Sequence, residues 1–177
     1  MTFERELDGW LSEWVACHNE HDIGRLVNLV SANLVWEDPA MFGATLTGRR
    51  AFRDMLTSSF RAFPDLHVKQ GAPMLGGETR TAAVEWRLRG TFEHPLRAPA
   101  SLPKTLPKVA PTGRRLDVRG VDIYDFDDDM LLVRCRAMHD MFTLSRQLGL
   151  MPDPGSSLAR LSAPLQWLGA AIQRRHN

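Results

Sequence analysis

The chain has few of the features that mark secreted, membrane-bound or nucleic-acid-binding proteins. Its 177 residues include only two cysteines, Cys17 and Cys135, and its start shows no basic region followed by an apolar one, so two buried thiols are expected rather than a disulfide. No apolar run approaches membrane-spanning length. The formal net charge is +1, from 22 basic and 21 acidic residues, which argues against nucleic acid or an anionic membrane as partner. These absences predict a cytoplasmic protein.

The motifs of several common enzyme classes are also missing. The six histidines show no His-Glu-x-x-His spacing, so no metal site is predicted. There is no glycine-rich phosphate loop, no nucleophile elbow and no Cys-x-x-Cys pair. Any chemistry therefore has to come from ordinary acidic, aromatic and imidazole side chains.

The first third of the chain carries the three-and-four spacing of apolar residues that predicts amphipathic helices. The patterns cover residues 3–18, 23–31 and 48–63, with Asp22 and Thr47 as candidate N-caps of the second and third helix. This part of the chain is therefore expected to be a three-helix unit.

A short strand is predicted between the second and third helix, at residues 34–39 (Leu-Val-Trp-Glu-Asp-Pro). It carries a carboxylate, Asp38, to its end. In an apolar setting such a carboxylate has a raised pKa and is suited to proton transfer. Residue type alone instead favours Asp38 as the start of a turn before Pro39.

After residue 64 the apolar spacing changes from three-and-four to two, which predicts strands. They cover residues 66–70, 81–92, 116–126 and 131–138. Both faces of the third are mixed, so alternation does not decide which face carries Asp122. The predicted class is α+β: a conical barrel of curved antiparallel sheet, with three N-terminal helices enclosing an apolar pocket.

Two segments depart from these patterns. Five prolines recur every four residues within 94–115 and exclude helix and central strand there; this is either a lid or a stiff, solvated excursion. Beyond residue 150, prolines and a glycine precede a second amphipathic pattern. The predicted organisation is one domain, 1–150, followed by a linker and C-terminal helix, 151–177, which docks on the domain or on a partner chain.

Several short motifs, taken in order, resemble the nuclear transport factor 2-like superfamily. Those of the first half are Trp14, Asn19 with His21-Asp22, Trp36-Glu37-Asp38-Pro39, Gly48 and Phe63-Pro64-Asp65-Leu66. Those that are similar to the SnoaL-like polyketide cyclases in particular are Pro111-Thr112-Gly113-Arg114, Val118-Arg119-Gly120 and Asp140 through Gln147-Leu148-Gly149-Leu150. The resemblance covers residues 5–150. It implies a conical α+β barrel with an apolar pocket, a homodimer formed through the outer sheet face, and intramolecular aldol condensation without metal or organic cofactor.

The resemblance also implies two catalytic candidates. In the cyclases the aspartate before the Gln-Leu-Gly ending is the proposed general acid/base, which corresponds to Asp140. In the related ketosteroid isomerases the aspartate of a Glu-Asp-Pro sequence shuttles the proton, which corresponds to Asp38. Trp14 stands at the position of the isomerases' oxyanion-hole tyrosine, and Asp122 lies near that of their protonated aspartic acid. The loss of that tyrosine argues against steroid isomerisation.

Enolate chemistry requires a base near neutrality, a donor for the oxyanion and the exclusion of water. Asp38 and Asp140 are predicted to share one chamber, where each carboxylate raises the pKa of the other. Core packing is the favoured role of Trp10, and His18 and His21 are expected at the surface or as caps. The residues predicted to contact a substrate are Trp14, Trp36, Asp122, Tyr124, His139 and Trp86, although core packing is the simpler role for the last.

The predicted function is therefore that of a cofactor-independent acid/base enzyme. Its substrate is expected to be an apolar, oxygenated small molecule, polyketide-like or terpenoid/steroid-like, which it cyclises or isomerises through an enolate-type intermediate. The alternative is a non-catalytic small-molecule binding protein that uses the same pocket. A third possibility is an interaction module in which the sheet face and C-terminal helix serve assembly, since one fold hosts unrelated functions.

Overall fold

The computed structural model describes residues 2–41, 43–77, 79–97, 108–152 and 155–156. Within them the helices are α1 (Phe3–Asn19), α2 (Ile23–Asn28), α3 (Gly48–Ala62) and α4 (Met141–Gln147). The strands are β1 (Val30–Glu37), β2 (Thr45–Thr47), β3 (His67–Leu75), β4 (Thr81–Thr91), β5 (Arg115–Phe126) and β6 (Leu132–His139). A short 3₁₀ turn, Pro39–Met41, follows β1.

All six strands belong to one curved sheet in the order β2-β1-β6-β5-β4-β3. The predicted α+β class, with three helices before most of the sheet, is confirmed. Two details differ from the prediction. The sheet is open, and β1 runs parallel to β6 while every other neighbouring pair is antiparallel. The parallel pair places the C-terminal ends of β1 and β6 at the same edge.

The second helix is shorter than its apolar spacing predicts. It ends at Asn28, and Val30 already pairs with Leu132 of β6. The Leu132 N–H donates to the Leu29 carbonyl, and the Trp10 indole N–H donates to the same oxygen at 3.3 Å. Pairing with a distant strand therefore overrides the local helical pattern, as tertiary context often does. The predicted cap is correct, because the Asp22 carboxylate accepts the Arg25 N–H at 2.9 Å.

The core lies between the helices and the inner face of the sheet. On α1, Trp10 is 6% exposed and stacks on Trp14 with ring centroids 4.6 Å apart, which confirms core packing for Trp10. Trp14 in turn stacks on Phe52 of α3 at 5.9 Å. Cys17 and Cys135 are buried and not bonded to each other, as predicted.

The two faces of β5 are clearly separated in the fold. Val118, Asp122 and Tyr124 are buried on the inner face, while Asp117 and Arg119 are exposed on the outer one. Since Asp122 pairs across the sheet with Val84 of β4 and Ala137 of β6, it lies in the middle of the sheet. The structure thus resolves the ambiguity that the mixed alternation left.

Two predicted segments fall largely outside the described residues. Leu96 and Val109 form an isolated antiparallel bridge at the base of the proline-rich segment, and residues 98–107 are not described. The predicted C-terminal helix also lies outside the described residues. Among the helices that are described, none is long and apolar enough to cross a membrane.

Candidate active site

A cavity of about 290 Å³ lies between the helices and the inner face of the sheet. Its wall is mainly apolar and includes Trp14 of α1, Trp36 of β1, Phe60 of α3, Val118 of β5 and Leu148 beyond α4. Concave apolar cavities with a few convergent polar groups are the usual form of small-molecule sites. The polar groups in this wall therefore decide what the cavity can do.

Asp122 is the most unusual of these groups, because it is an acidic side chain in the otherwise apolar core of the described residues. The residue is only 7% exposed. Its Oδ1 accepts the Trp86 indole N–H at 2.7 Å, and its Oδ2 accepts the Tyr124 hydroxyl at 2.8 Å. Gln70 extends the network by donating from Nε2 to the Tyr124 oxygen at 3.2 Å. Three strands thus hold one carboxyl group in place.

This environment changes the pKa values of Asp122 and Tyr124. The pKa of Asp122 is raised to about 6, mainly by burial and in smaller part by the charge of Asp38, while the bonds from Trp86 and Tyr124 oppose the shift. Burial and the neighbouring Asp122 carboxylate raise the pKa of Tyr124 well above its usual value. At neutral pH Tyr124 is therefore a hydroxyl donor, and Asp122 titrates in the range useful for proton transfer.

A second polar group forms where β1 and β6 end side by side. The Nε2 atom of His139 lies 2.9 Å from Oδ1 of Asp38, and the Ala40 N–H donates to the same oxygen at 2.7 Å. The His139 side chain is 4% exposed and that of Asp38 is 18% exposed, and both line the cavity. Asp38 therefore does what both interpretations of the sequence proposed, because it begins a turn and it faces the cavity.

A glycine makes room for the indole that binds Asp122. Gly120 of β5 lies directly opposite Trp86 of β4. A Cβ atom at position 120 would overlap the Trp86 ring and would lie 2.6 Å from the carbonyl oxygen of Met138. The indole occupies the space that a side chain would fill, and its N–H reaches Asp122 two residues along β5. Trp86 thus packs against the core, as predicted, and it also lines the cavity and donates a hydrogen bond to Asp122.

Asp140 does not join Asp38 in the cavity. It is exposed and caps α4, where its carboxylate accepts the N–H groups of Phe142 and Thr143 at 2.9 and 3.1 Å and the Thr143 hydroxyl at 2.6 Å. These bonds lower its pKa, with the Thr143 hydroxyl as the largest cause. The expectation that Asp38 and Asp140 share one chamber is therefore not met, and the second carboxylate in the cavity wall is Asp122. The acid/base role of Asp140 stays a prediction.

The structure brings the predicted contact residues together at the cavity. All six line its wall: Trp14, Trp36, Trp86, Asp122, Tyr124 and His139. Among the described residues no group of three or more His, Cys, Asp or Glu side chains is arranged to hold a metal ion. The polar part of the wall includes carboxyl, hydroxyl, amide, indole and imidazole groups, together with the guanidinium of Arg97.

His18 was expected at the surface or as a cap, and the structure places it in the cavity wall instead. It lies one helical turn after Trp14, and its Nδ1 atom is 2.8 Å from the Trp14 carbonyl oxygen. Burial lowers its pKa to about 4. The i, i+4 spacing from Trp14 was the available signal, since residues so spaced share a helix face.

The fold and the cavity define a class of protein: a curved, open sheet packed against helices, as in the nuclear transport factor 2-like superfamily, with an acidic group inside an apolar chamber. The family model described as "SnoaL-like domain" matches residues 11–134. The chain therefore belongs to the SnoaL-like family.

Several solved structures share the fold of this chain. AclR, a putative hydroxylase from Streptomyces galilaeus, is 21% identical with a TM-score of 0.65, and the match covers 98% of each chain. A putative SnoaL-like polyketide cyclase from Jannaschia sp. CCS1 is 15% identical with a TM-score of 0.66, over 86% of this chain and 97% of that one. SalBIII, an epoxide hydrolase/cyclase-like enzyme of salinomycin pyran ring formation, is 19% identical with a TM-score of 0.61, over 79% and 95%. At these identities the likeness is one of fold, and no curated protein sequence matches the chain significantly.

Proposed function

We propose that this protein is a cofactor-independent acid/base enzyme that cyclises or isomerises an apolar, oxygenated small molecule through an enolate-type intermediate. One observation carries the proposal: Asp38 and Asp122 line the same apolar cavity, each held by different partners. Pairs of carboxyl groups whose environments differ are the usual basis for dividing acid and base roles. Polyketide-like and terpenoid- or steroid-like ketones are the expected substrates.

In this proposal Asp38 is the base. Its carboxylate is fixed by the His139 imidazole and the Ala40 N–H, both on Oδ1, which leaves Oδ2 for the substrate. Asp38 takes a proton from the carbon next to a ketone. The electron pair of that C–H bond forms a carbon–carbon double bond, and the π electrons of the carbonyl group move onto the ketone oxygen. His139 is a positioning residue, since it acts through Asp38.

Asp122 is the proposed donor to the developing oxyanion. With a pKa of about 6, about one tenth of Asp122 is protonated at pH 7, and a bound apolar ligand increases that fraction by excluding water. A protonated Asp122 donates to the oxygen that gains charge, and the Trp86 and Tyr124 groups hold it in position. Fixed donors of this kind supply large rate enhancements in water-poor sites.

The enolate then has two outcomes. Attack of its carbon on a second carbonyl of the same molecule forms a carbon–carbon bond and closes a ring, and the new alkoxide takes back the proton that Asp38 removed. In a ketone with a carbon–carbon double bond one carbon further away, return of the proton from Asp38 to the far end of the dienolate moves that double bond instead. Cyclase-like and isomerase-like proteins among the structural neighbours support this range of reactions.

The test is enolisation of a simple apolar ketone. Exchange of the α-protons of 2-tetralone in D₂O, followed by NMR, reports the first step without requiring the natural substrate. We expect the wild type to accelerate exchange over buffer, and Asp38→Asn to lower the enzymatic rate by roughly 10²–10⁴-fold. Asp140→Asn is the matched control, because it removes a carboxylate that directly follows β6 but lies outside the cavity.

Two results would count against the proposal. A wild-type rate equal to that of buffer would remove the enolisation step for this ketone class. Loss of exchange in Asp140→Asn, with full activity in Asp38→Asn, would transfer the base role to Asp140 as the cyclase resemblance implies.

A non-catalytic binding function is the second candidate, and one observation favours it. Both oxygens of Asp122 already accept hydrogen bonds from Trp86 and Tyr124, which is how a purely structural buried carboxylate is satisfied. Binding of 2-tetralone by calorimetry, without accelerated exchange, would support this function over catalysis.

Assembly and location complete the proposal. A homodimer formed through the outer sheet face is proposed from the family resemblance, and a cytoplasmic location from the sequence. Analytical ultracentrifugation checks the first, with a mass of one chain as the contradicting result. Fractionation of the source cells checks the second.

A further inference from the structure

We propose that His18 forms a second polar end of the cavity, which selects ligands carrying a hydroxyl or N–H donor away from the reacting carbonyl. His18 lies on α1 and lines the cavity. It plays no part in the acid/base chemistry assigned to Asp38 and Asp122. The inference deepens the proposed function by naming a feature of the substrate, but it requires only that the cavity binds a ligand.

The tautomer of His18 follows from its backbone contact. Its Nδ1 atom lies 2.8 Å from the Trp14 carbonyl oxygen. A carbonyl oxygen can only accept, so Nδ1 carries the hydrogen and donates it. In the neutral ring Nε2 then has a lone pair and no hydrogen, which makes it an acceptor.

The Nε2 atom of His18 is open to a ligand. It has no hydrogen-bond partner among the described residues, and it is not one of the polar atoms that protein atoms seal off without a partner. His139 differs, because its free ring nitrogen, Nδ1, is enclosed by protein. Of the two imidazoles in the cavity wall, His18 is therefore the one whose unpaired ring nitrogen is not enclosed by protein.

The ring stays neutral over the physiological range. Burial lowers the pKa of His18 to about 4, and the nearby His21 acts in the same direction. A ligand donor placed at Nε2 therefore forms a neutral hydrogen bond. A ligand ether or carbonyl oxygen placed there is also an acceptor, so it cannot form a hydrogen bond with Nε2. The Nε2 atom is then left without a partner, which is unfavourable in a buried site.

The position of His18 sets where the donor must be. Its ring centroid is 4.5 Å from that of Trp14, and the Trp14 centroid is 6.1 Å from that of Tyr124, the residue bonded to Asp122. In the proposal, an apolar ring beside Trp14 directs its carbonyl towards Asp122 and its hydroxyl towards His18. The substrate class is an apolar ring system with a ketone at one end and a hydroxyl or phenol at the other.

A matched pair of probes tests this directly. Calorimetry with 2-naphthol and 2-methoxynaphthalene compares a hydroxyl donor with its methyl ether. We expect the wild type to prefer 2-naphthol by roughly tenfold and His18→Phe to lose that preference. His18→Gln restores an acceptor and should recover part of it. His67→Phe, an exposed histidine of β3, is the control and should match the wild type, with folding checked by circular dichroism.

Three results would overturn the inference: wild type that binds neither probe, wild type that binds both equally, or His18→Phe that keeps the full preference. The last would mean that the hydroxyl binds at the Asp122 end. Failure of the enolisation assay with the probe preference intact would contradict catalysis and leave the role of His18 supported, so the two proposals fail separately.

Discussion

The two faces of β5 carry aspartates with opposite chemistry, five positions apart. On the outer face Asp117 accepts two bonds from Arg87, each 2.6 Å long, and one from Arg89; the Arg87 bonds are the largest cause of a pKa lowered to about 2. On the inner face burial raises the pKa of Asp122 to about 6. The same residue type on the same strand is thus a permanent anion on one side and a titrating acid on the other.

The difference teaches which feature of the fold creates the candidate site. An exposed carboxylate beside guanidinium groups is stabilised as an anion and is solvent-screened. A carboxylate enclosed by apolar walls, with only neutral donors near its oxygens, keeps its proton to a higher pH. Alternation along β5, rather than any motif, therefore assigns the two roles.

The largest difference between the two faces is expected in the exchange rate, when each aspartate is replaced in turn. Asp122→Leu should lower the 2-tetralone exchange rate by roughly 10²–10³-fold, because the oxyanion loses a fixed donor. Asp117→Leu, on the outer face of the same strand, should leave the rate unchanged. NMR exchange rates on folded variants measure both, and equal losses in the two variants would break the comparison.

The pH dependence of stability should differ in sign between the faces. The pKa of Asp122 is raised from 3.8 to about 6 in the folded protein, so the folded state binds the proton more tightly than the unfolded state. Protonated Asp122 therefore stabilises the folded state. This contribution to the free energy of unfolding, about 3 kcal/mol, is fully present below the unfolded pKa and is lost as the pH rises through about 6.

Asp117 behaves oppositely, because its pKa is lowered. Its contribution is present above the unfolded pKa and is lost as the pH falls towards 2. Urea unfolding of the wild type, Asp122→Asn and Asp117→Asn at several pH values measures both. A wild-type advantage over Asp122→Asn that grows between pH 4 and 7 would contradict the sign assigned to the inner face.

A smaller effect is expected at the glycine that admits Trp86. Gly120→Ala should lower the free energy of unfolding by roughly 1–3 kcal/mol, the usual cost of overpacking, because the new Cβ meets the indole and the Met138 carbonyl. It should also raise the midpoint of the Asp122 titration, since the displaced Trp86 N–H no longer favours the anion. Gly71→Ala is the control on β3, where the nearest atom, Cβ of Glu85, is 3.7 Å away.

The smallest effect is expected on the outer face. Arg87→Ala should leave the free energy of unfolding near that of the wild type, since exposed ion pairs contribute little. It should raise the pKa of Asp117 towards its ordinary value. NMR titration of Asp117 with thermal denaturation checks both, and a large loss of stability would show that the outer face is not the passive one.

Much of the architecture was predictable because it depends on local spacing. The apolar period of α1 and α3, the change of period after Pro64 and the cap at Asp22 all reflect interactions within a few residues. Asp38 was predictable in the same way, as a carboxylate at the end of a strand. The curved α+β class followed from the order of these elements.

The remaining features depend on contacts between distant segments. The parallel pairing of β1 with β6 ends α2 early, and nothing near Asn28 encodes it. Asp122 could not be assigned to a face because both sides of β5 mix apolar and polar residues. The space that Gly120 leaves for Trp86 exists only in the cross-strand register. Asp140 was predicted to lie in the site because of the resemblance to the cyclases, whereas the structure places it at the N-cap of α4.

The protonation of Asp122 is the most direct test of the proposed chemistry. Carbon-13 NMR of the aspartate carboxyl groups should show one with a midpoint of about 6, absent in Asp122→Asn and retained in Asp140→Asn. If every aspartate titrates at or below about 4, or if the raised midpoint disappears in Asp140→Asn, the assignment of the buried acid to Asp122 is contradicted.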